Sequence, residues 1–395
     1  MKPLVAWALF DLANTFFAVA MISFYFPLWI TEDLGGRELS FSLAMGGSMA
    51  CVALLMPFCG AVSDASGTRM RFLRWTTYGC AAATMGIGLT SNLTAALVLF
   101  ALANICYQLG TVFYDALLWS VTTPQRLGAA SGFGAACGYL GSMLGLGLLW
   151  PFVRAWGYQA AFIPSALFFL LFALPSFLTI REPAGRTGWS WGGVARAAAM
   201  RLAITIRSAR AMAGVWRYLW ASFFSGSAIN TILIFMAVYT RKVAGFTNEQ
   251  VIAFFLFSQL FSIAGALIFT RLIPRRGAQR TLVLIWSGWL AALALLVIDP
   301  TVRWLWAVGP GIGLCLGATW ATARVLVLEL SPKDQLAEMF GLAGLFGRAS
   351  SILGPILWGL LVWDGSGYRR AILAMMGFMA IGLWLLRGVP ERAAA

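Results

Sequence analysis

Long apolar stretches separated by short polar breaks run along the chain from end to end. Twelve stand out, at about 4–30, 39–63, 72–90, 95–121, 128–152, 159–180, 216–240, 249–270, 281–298, 303–328, 338–362 and 370–387. Each comes close to the ~20 residues an α-helix needs to cross a hydrocarbon core, several with excess for tilt. The pattern predicts an all-α polytopic membrane protein of twelve transmembrane helices. The longest polar stretch falls midway and divides them six and six. The expected domains are a six-helix bundle at 1–180, a basic linker at 181–215 and a second six-helix bundle at 216–395.

Polar residues inside the apolar segments are few and fall at helical spacing. Asp11, Asn14 and Thr15 share one face of the first segment. Asn104, Gln108, Thr111 and Asp115 are spaced 4, 3 and 4 apart in the fourth, which is one continuous stripe. The seventh carries Ser227, Asn230 and Thr231, and the tenth carries Trp320 and Arg324. An ionised side chain at the centre of a membrane helix costs about 2.5–3.5 kcal/mol on insertion scales, so such residues face water or a partner. Asp11, Asp115 and Arg324 all lie toward one end of their helices, and bracing or gating are the plainer alternatives to solute binding. Gln259 and Ser262 are weaker candidates in the eighth segment, Trp119 and Trp320 are candidate cavity walls, and Arg348 reads as a structural partner.

Composition agrees with the pattern. Of the residues, 61% are hydrophobic and 11% charged, against roughly 25% charged in soluble proteins. The six cysteines all fall in apolar stretches without a C-x-x-C pair, and read as packing residues. There is no histidine. With no P-loop either, the chain lacks the usual parts of an enzyme or of an ATP-driven pump, and no cofactor or metal is expected. No A-x-A-like cleavage site follows the first segment, so that helix is expected to stay.

The net charge of +14 has its cause in the loops rather than in nucleic acid. With the N-terminus inside, 19 Lys and Arg fall on the cytoplasmic side and 7 on the other, with Arg324 and Arg348 inside segments. That bias predicts both termini in the cytoplasm. Arg196, Arg207, Arg210 and Arg217 fall on one side of a helix and read as an interfacial helix against anionic headgroups.

The halves echo each other. Gly132, Gly138 and Gly145 recur as Gly341, Gly347 and Gly354 at an offset of 209, and Asn14-Thr15 recurs as Asn230-Thr231 at an offset of 216. Repeats of six spans point to alternating access between two bundles.

Between the second and third segments stands "GAVSDASGTRMR", residues 60–71, of the form G-x-x-x-D-x-x-G-x-R. Gly60 would permit close packing, Gly67 would turn the chain, and Asp64 could hold a base such as Arg69. The string resembles the loop signature of the major facilitator superfamily. There it latches the outward-open state, with Gly60, Asp64, Gly67 and Arg69 at its positions here. The matching loop of the second half, "TRLIPRRGAQR", has Pro274 in place of the aspartate. "FDLANTFFA" (10–18), "VFYDALLWSVTTPQRLGAASGFGAACGYLG" (112–141) and "GATWATARVLVLELSPKDQLAEMFGLAGLFGRASSILGP" (317–355) resemble the autophagy-related vacuolar amino-acid effluxers and their bacterial relatives.

The resemblance implies the major facilitator fold, a cavity lined by the first, fourth, seventh and tenth spans, and an amino-acid-like substrate. It also implies an acidic residue before the seventh-span Asn-Thr pair, where this chain has Ser227. The expectation is a secondary transporter of a small polar organic solute, with a proton or other ion as candidate coupling partner. It would act as a monomer in a bacterial inner membrane. A multidrug or lipophile exporter of the same fold and a transport-inactive sensor or scaffold are the rival readings.

Overall fold

The computed structural model describes residues 2–122, 127–181, 191–298, 302–332 and 335–390. Among them every regular element is helical. The first segment forms α1, Pro3–Asp33, which is not one clean helix. It passes through π-helical turns at Val19–Ser23 and Trp29–Asp33 on either side of Phe24, whose backbone leaves the helical region at φ −134°, ψ −82°. Pro27 is the local cause: it has no N–H to give to the carbonyl four residues back. The freed turn is held by Tyr25, whose hydroxyl donates to the Leu146 carbonyl at 2.7 Å.

The remaining elements follow as α2 Glu38–Ser66, α3 Arg69–Gly88, α4 Leu93–Val121, α5 Leu127–Trp156 and α6 Phe162–Thr179. Then come α7 Trp191–Ala211, α8 Ala213–Lys242, α9 Asn248–Arg276, α10 Ala278–Ile298, α11 Val302–Leu330, α12 Leu336–Leu361 and α13 Tyr368–Arg387. Hydropathy finds the apolar middle of a helix and not its polar ends, so several helices outrun the expected segments. The eighth, expected to stop near 270, continues through Arg271, Arg275 and Arg276 to Gly277.

Among the described residues, eleven helices are long and apolar enough to cross a membrane. The twelfth, α3, has the length at 20 residues, but it begins "RMRFLR" and is the less apolar for it. It packs against α4 and α6 like a member of the bundle.

Two compact units divide the chain, Met1–Leu202 and Ala203–Ala395, with the boundary inside α7. The helix pairings within them correspond. In the first, α1 packs on α5 and α6, α2 on α4, and α3 on α4 and α6. In the second, α8 packs on α12 and α13, α9 on α11, and α10 on α11 and α13. The sequence repeat is thus a repeat of packing. Gly145 faces Phe16 and Val19 of α1, and its counterpart Gly354 faces Ser227 and Thr231 of α8. Small residues let membrane helices approach backbone to backbone. At Gly141 the approach is complete: a Cβ there would overlap the Leu12 carbonyl oxygen.

The basic linker forms a helix, α7, with Arg196, Arg207 and Arg210 exposed. Arg217 is not on it, because the chain leaves helical geometry at Met212 (ψ 90°) and Arg217 belongs to α8. α7 is also tied inward: Thr205 Oγ1 donates to Glu338 at 3.2 Å and Ser208 Oγ to Gln335 at 2.8 Å.

Candidate functional site

In the first unit, Asp11 is half-buried on α1 and backed by α5 at Gly138. A Cβ on that glycine would stand 2.9 Å from Thr15 Oγ1 and 3.2 Å from Asp11 Oδ2. The glycine therefore makes the room in which the carboxylate and hydroxyl sit. Thr15 spends its proton on its own helix, donating to the Asp11 backbone carbonyl at 2.7 Å. Asn14 is 5% exposed. One turn earlier, the Trp7 indole N–H donates to the Tyr114 carbonyl at 3.1 Å, and the two rings stack at 4.6 Å and 8°. This joint holds α1 against α4 one residue before Asp115, which is exposed.

The α4 stripe is not uniform. Asn104 is fully buried and donates to Ser48 Oγ of α2 at 2.8 Å, so it serves helix packing. Gln108 and Thr111 are half-buried, with the Thr111 hydroxyl donating to the Gln108 carbonyl at 2.7 Å. Exposure grows along the stripe toward Asp115.

In the second unit the seventh-span polar residues also turn into packing. Ser227 is fully buried and donates to the Phe223 carbonyl at 2.8 Å; Thr231 donates to the Ser227 carbonyl at 2.6 Å. Asn230 reaches α12 and donates to Ser350 Oγ at 3.2 Å and Ser351 Oγ at 2.9 Å. Trp320 and Arg324, in contrast, line a cavity of about 320 Å³. Tyr218, Ser222, Trp286, Thr319, Phe340 and Ser350 are among its other walls. Trp320 is 46% exposed and Arg324 is exposed.

Sequence reasoning missed most of these walls. Tyr218, Ser222 and Gly226 are spaced four apart on α8, a signal present but overlooked. Trp286 comes from α10, where no polar stripe marks a face. Gln259 and Ser262 line a separate cavity of only about 50 Å³. The cavity around Arg324 offers one guanidinium, four hydroxyls and four aromatic rings, which suits a small anionic group carried on an organic body.

Part of the loop signature stands where its chemistry requires. Gly67 ends α2 in the left-handed region (φ +63°), its N–H bonding to the Ser63 carbonyl at 3.0 Å, and Arg69 begins α3. Gly277 ends α9 with a positive φ as well, +78°, but at ψ 157° and so in a more extended conformation. Only glycine takes this conformation freely. Gly60 is not a close-packing position: a Cβ there would meet Val112 at an ordinary 3.7 Å. The side chains of Asp64 and Trp119 lie outside the described residues.

Two helical units with matching packing, and polar side chains facing a cavity in the apolar zone, define a membrane transporter. The sequence profile of the Major Facilitator Superfamily matches residues 12–310 and 277–395, and the chain belongs to that family. It is 25% identical over 383 residues to an uncharacterized protein of Aquifex aeolicus, covering 96% of this chain and 95% of that one. It is 22% identical over 415 residues to the uncharacterized MFS-type transporter YxiO of Bacillus subtilis, covering 98% and 94%. Among solved structures, the nucleoside transporter NupG (D323A mutant) superposes with a TM-score of 0.76 at 14% identity, over 98% of this chain and 100% of that one. The chain is a multi-pass membrane transporter of solutes and not an enzyme.

Proposed function

We propose that the chain is a secondary active transporter of a small polar solute bearing both charges, amino-acid-like in its recognition chemistry, working by alternating access. The observation that carries this reading is Arg324 with Trp320 in the cavity of the second unit. The guanidinium takes the carboxylate end of such a solute in a fork of two N–H donors. The aromatic walls take its organic body. Asp11, set beside Gly138 in the first unit, is assigned an exchangeable proton, with Asp115 as second carboxylate. Asn14, Thr15, Gln108 and Thr111 supply neutral hydrogen-bonding capacity; Asn104, Ser227 and Asn230 shape the helices that carry it. The resemblance to amino-acid effluxers supports the same class. Gly60, Asp64, Gly67 and Arg69 are assigned to the conformational latch, and the bias of basic residues supports cytoplasmic termini in a bacterial inner membrane. The unit of function is taken as the monomer.

A thermal-shift screen of the purified chain against amino acids, peptides, nucleosides and lipophilic cations tests this. A ligand at 100 times its Kd stabilises by about 2.7 kcal/mol. The expected hits carry a carboxylate, and Arg324→Gln abolishes their shift. The four rings of the cavity favour a second reading, a lipophile exporter. Hits confined to lipophilic cations, indifferent to Arg324→Gln, would establish that reading and refute the first.

A further inference from the structure

A cavity of the first unit lies apart from the polar stripes. It holds about 720 Å³ where α3 begins and α6 ends. Three arginines line it, Arg71 and Arg74 from α3 and Arg181 just beyond α6, and all three are exposed. No carboxylate among the described residues lines it. Arg74 is fixed in place: its guanidinium donates to the Phe177 carbonyl at 2.5 Å and lies 5.8 Å from the centre of the Phe177 ring. The other wall is apolar and open. Trp75 is 71% exposed, Tyr78 51% and Leu178 73%. Arg74 and Tyr78 are one turn apart, so the lining passes from cationic to aromatic within a turn of the helix.

From this gradient we infer that the cavity is a binding site for an anionic phospholipid, its phosphate held by Arg71, Arg74 and Arg181 and its acyl chains lying along Trp75, Tyr78 and Leu178. A site for a free anion needs the cations alone and gains nothing from exposed rings. Three large, exposed apolar side chains beside a triple cation fit an amphiphile whose charge and hydrocarbon are joined. Tryptophan and tyrosine sit by preference at the headgroup level of a bilayer, and basic pockets between membrane helices recognise phosphate headgroups. Arginine suits the task because its planar fork matches phosphate oxygens. The site connects α3 to α6 at the foot of the loop signature, so an occupant would brace the end of α3 that follows Gly67.

The test uses the full chain, purified in detergent and stripped of lipid. It is titrated separately with palmitoyl-oleoyl phosphatidylglycerol, with phosphatidylcholine of the same chains, and with inorganic phosphate. Bound lipid is counted by native mass spectrometry and the melting temperature is followed in parallel. Phosphatidylglycerol is expected to bind and raise the melting temperature, with phosphatidylcholine and phosphate far weaker. At about 1 kcal/mol per arginine near a charged surface, Arg71→Gln and Arg181→Gln each weaken phosphatidylglycerol about fivefold, and the pair about 25-fold. Arg154→Gln, an exposed arginine of α5 outside the cavity, leaves binding unchanged, and Arg71→Lys retains most of it. Should the double variant fail to fold, the single variants carry the comparison. Equal binding of the two lipids, full affinity in both single glutamine variants, or inorganic phosphate displacing phosphatidylglycerol and reproducing its shift would overturn the inference.

Discussion

Gly141 and Gly147 lie on the same helix, α5, six residues apart, and the same substitution should have opposite effects at the two. A Cβ at 141 would overlap the Leu12 carbonyl oxygen and stand 2.9 Å from the Leu12 C and Cα. These are backbone atoms of α1 and cannot rotate away. A Cβ at 147 meets nothing within 4 Å. In a helix interior Gly→Ala gains about 0.8–1 kcal/mol from propensity alone, and that gain is common to both. Forcing an extra methyl into a packed contact costs about 1–3 kcal/mol. Gly147→Ala is therefore expected to be neutral or stabilising, and Gly141→Ala to lie about 1–3 kcal/mol below it. In a domain of this size that corresponds to about 2–12 °C in melting temperature. Thermal unfolding of the two variants in the same detergent measures the difference directly. Coincident melting curves would mean that α1 and α5 are not in backbone contact at this point, and the account of the glycine repeat would go with them.

The polar residues give three further expectations. Asp11→Asn keeps the shape beside Gly138 and removes the charge, so concentrative uptake into proteoliposomes should be lost while the folded fraction persists. Asn14→Ala, which removes hydrogen-bonding capacity only, should impair uptake less, and wild-type uptake and pH dependence in Asp11→Asn would remove that residue from the mechanism. Asn230→Ala deletes two hydrogen bonds to Ser350 and Ser351 and is expected to cost about 1–3 kcal/mol, seen as a lower melting point with substrate affinity little changed; an affinity loss at unchanged stability would place Asn230 at the solute instead. For topology, single cysteines at Gly36 and Gly188 should label from outside and inside respectively with an impermeant thiol reagent, and labelling of position 188 in intact cells would reverse the assigned orientation.

The sequence alone determined the helices, the division into halves and the pairs of glycines at a constant offset. These depend on local rules: about 20 apolar residues span a membrane, and a period near 3.6 marks a face. It also put Asp11, Trp320 and Arg324 on helix faces with room for chemistry. It could not say which neighbour each face meets. Asn104 and Asp115 belong to one stripe, yet Asn104 is held by Ser48 of α2 and Asp115 is exposed. Asn14 and Asn230 occupy matching places in the repeat, but Asn230 donates to Ser350, where the first half has Gly141. Trp286 reaches the Arg324 cavity from a helix with no polar stripe. Helix formation satisfies the backbone within a single segment and so can be read along the chain. Which side chain faces a partner and which faces a cavity is set by how closely two helices approach, and that is decided only when both are in place.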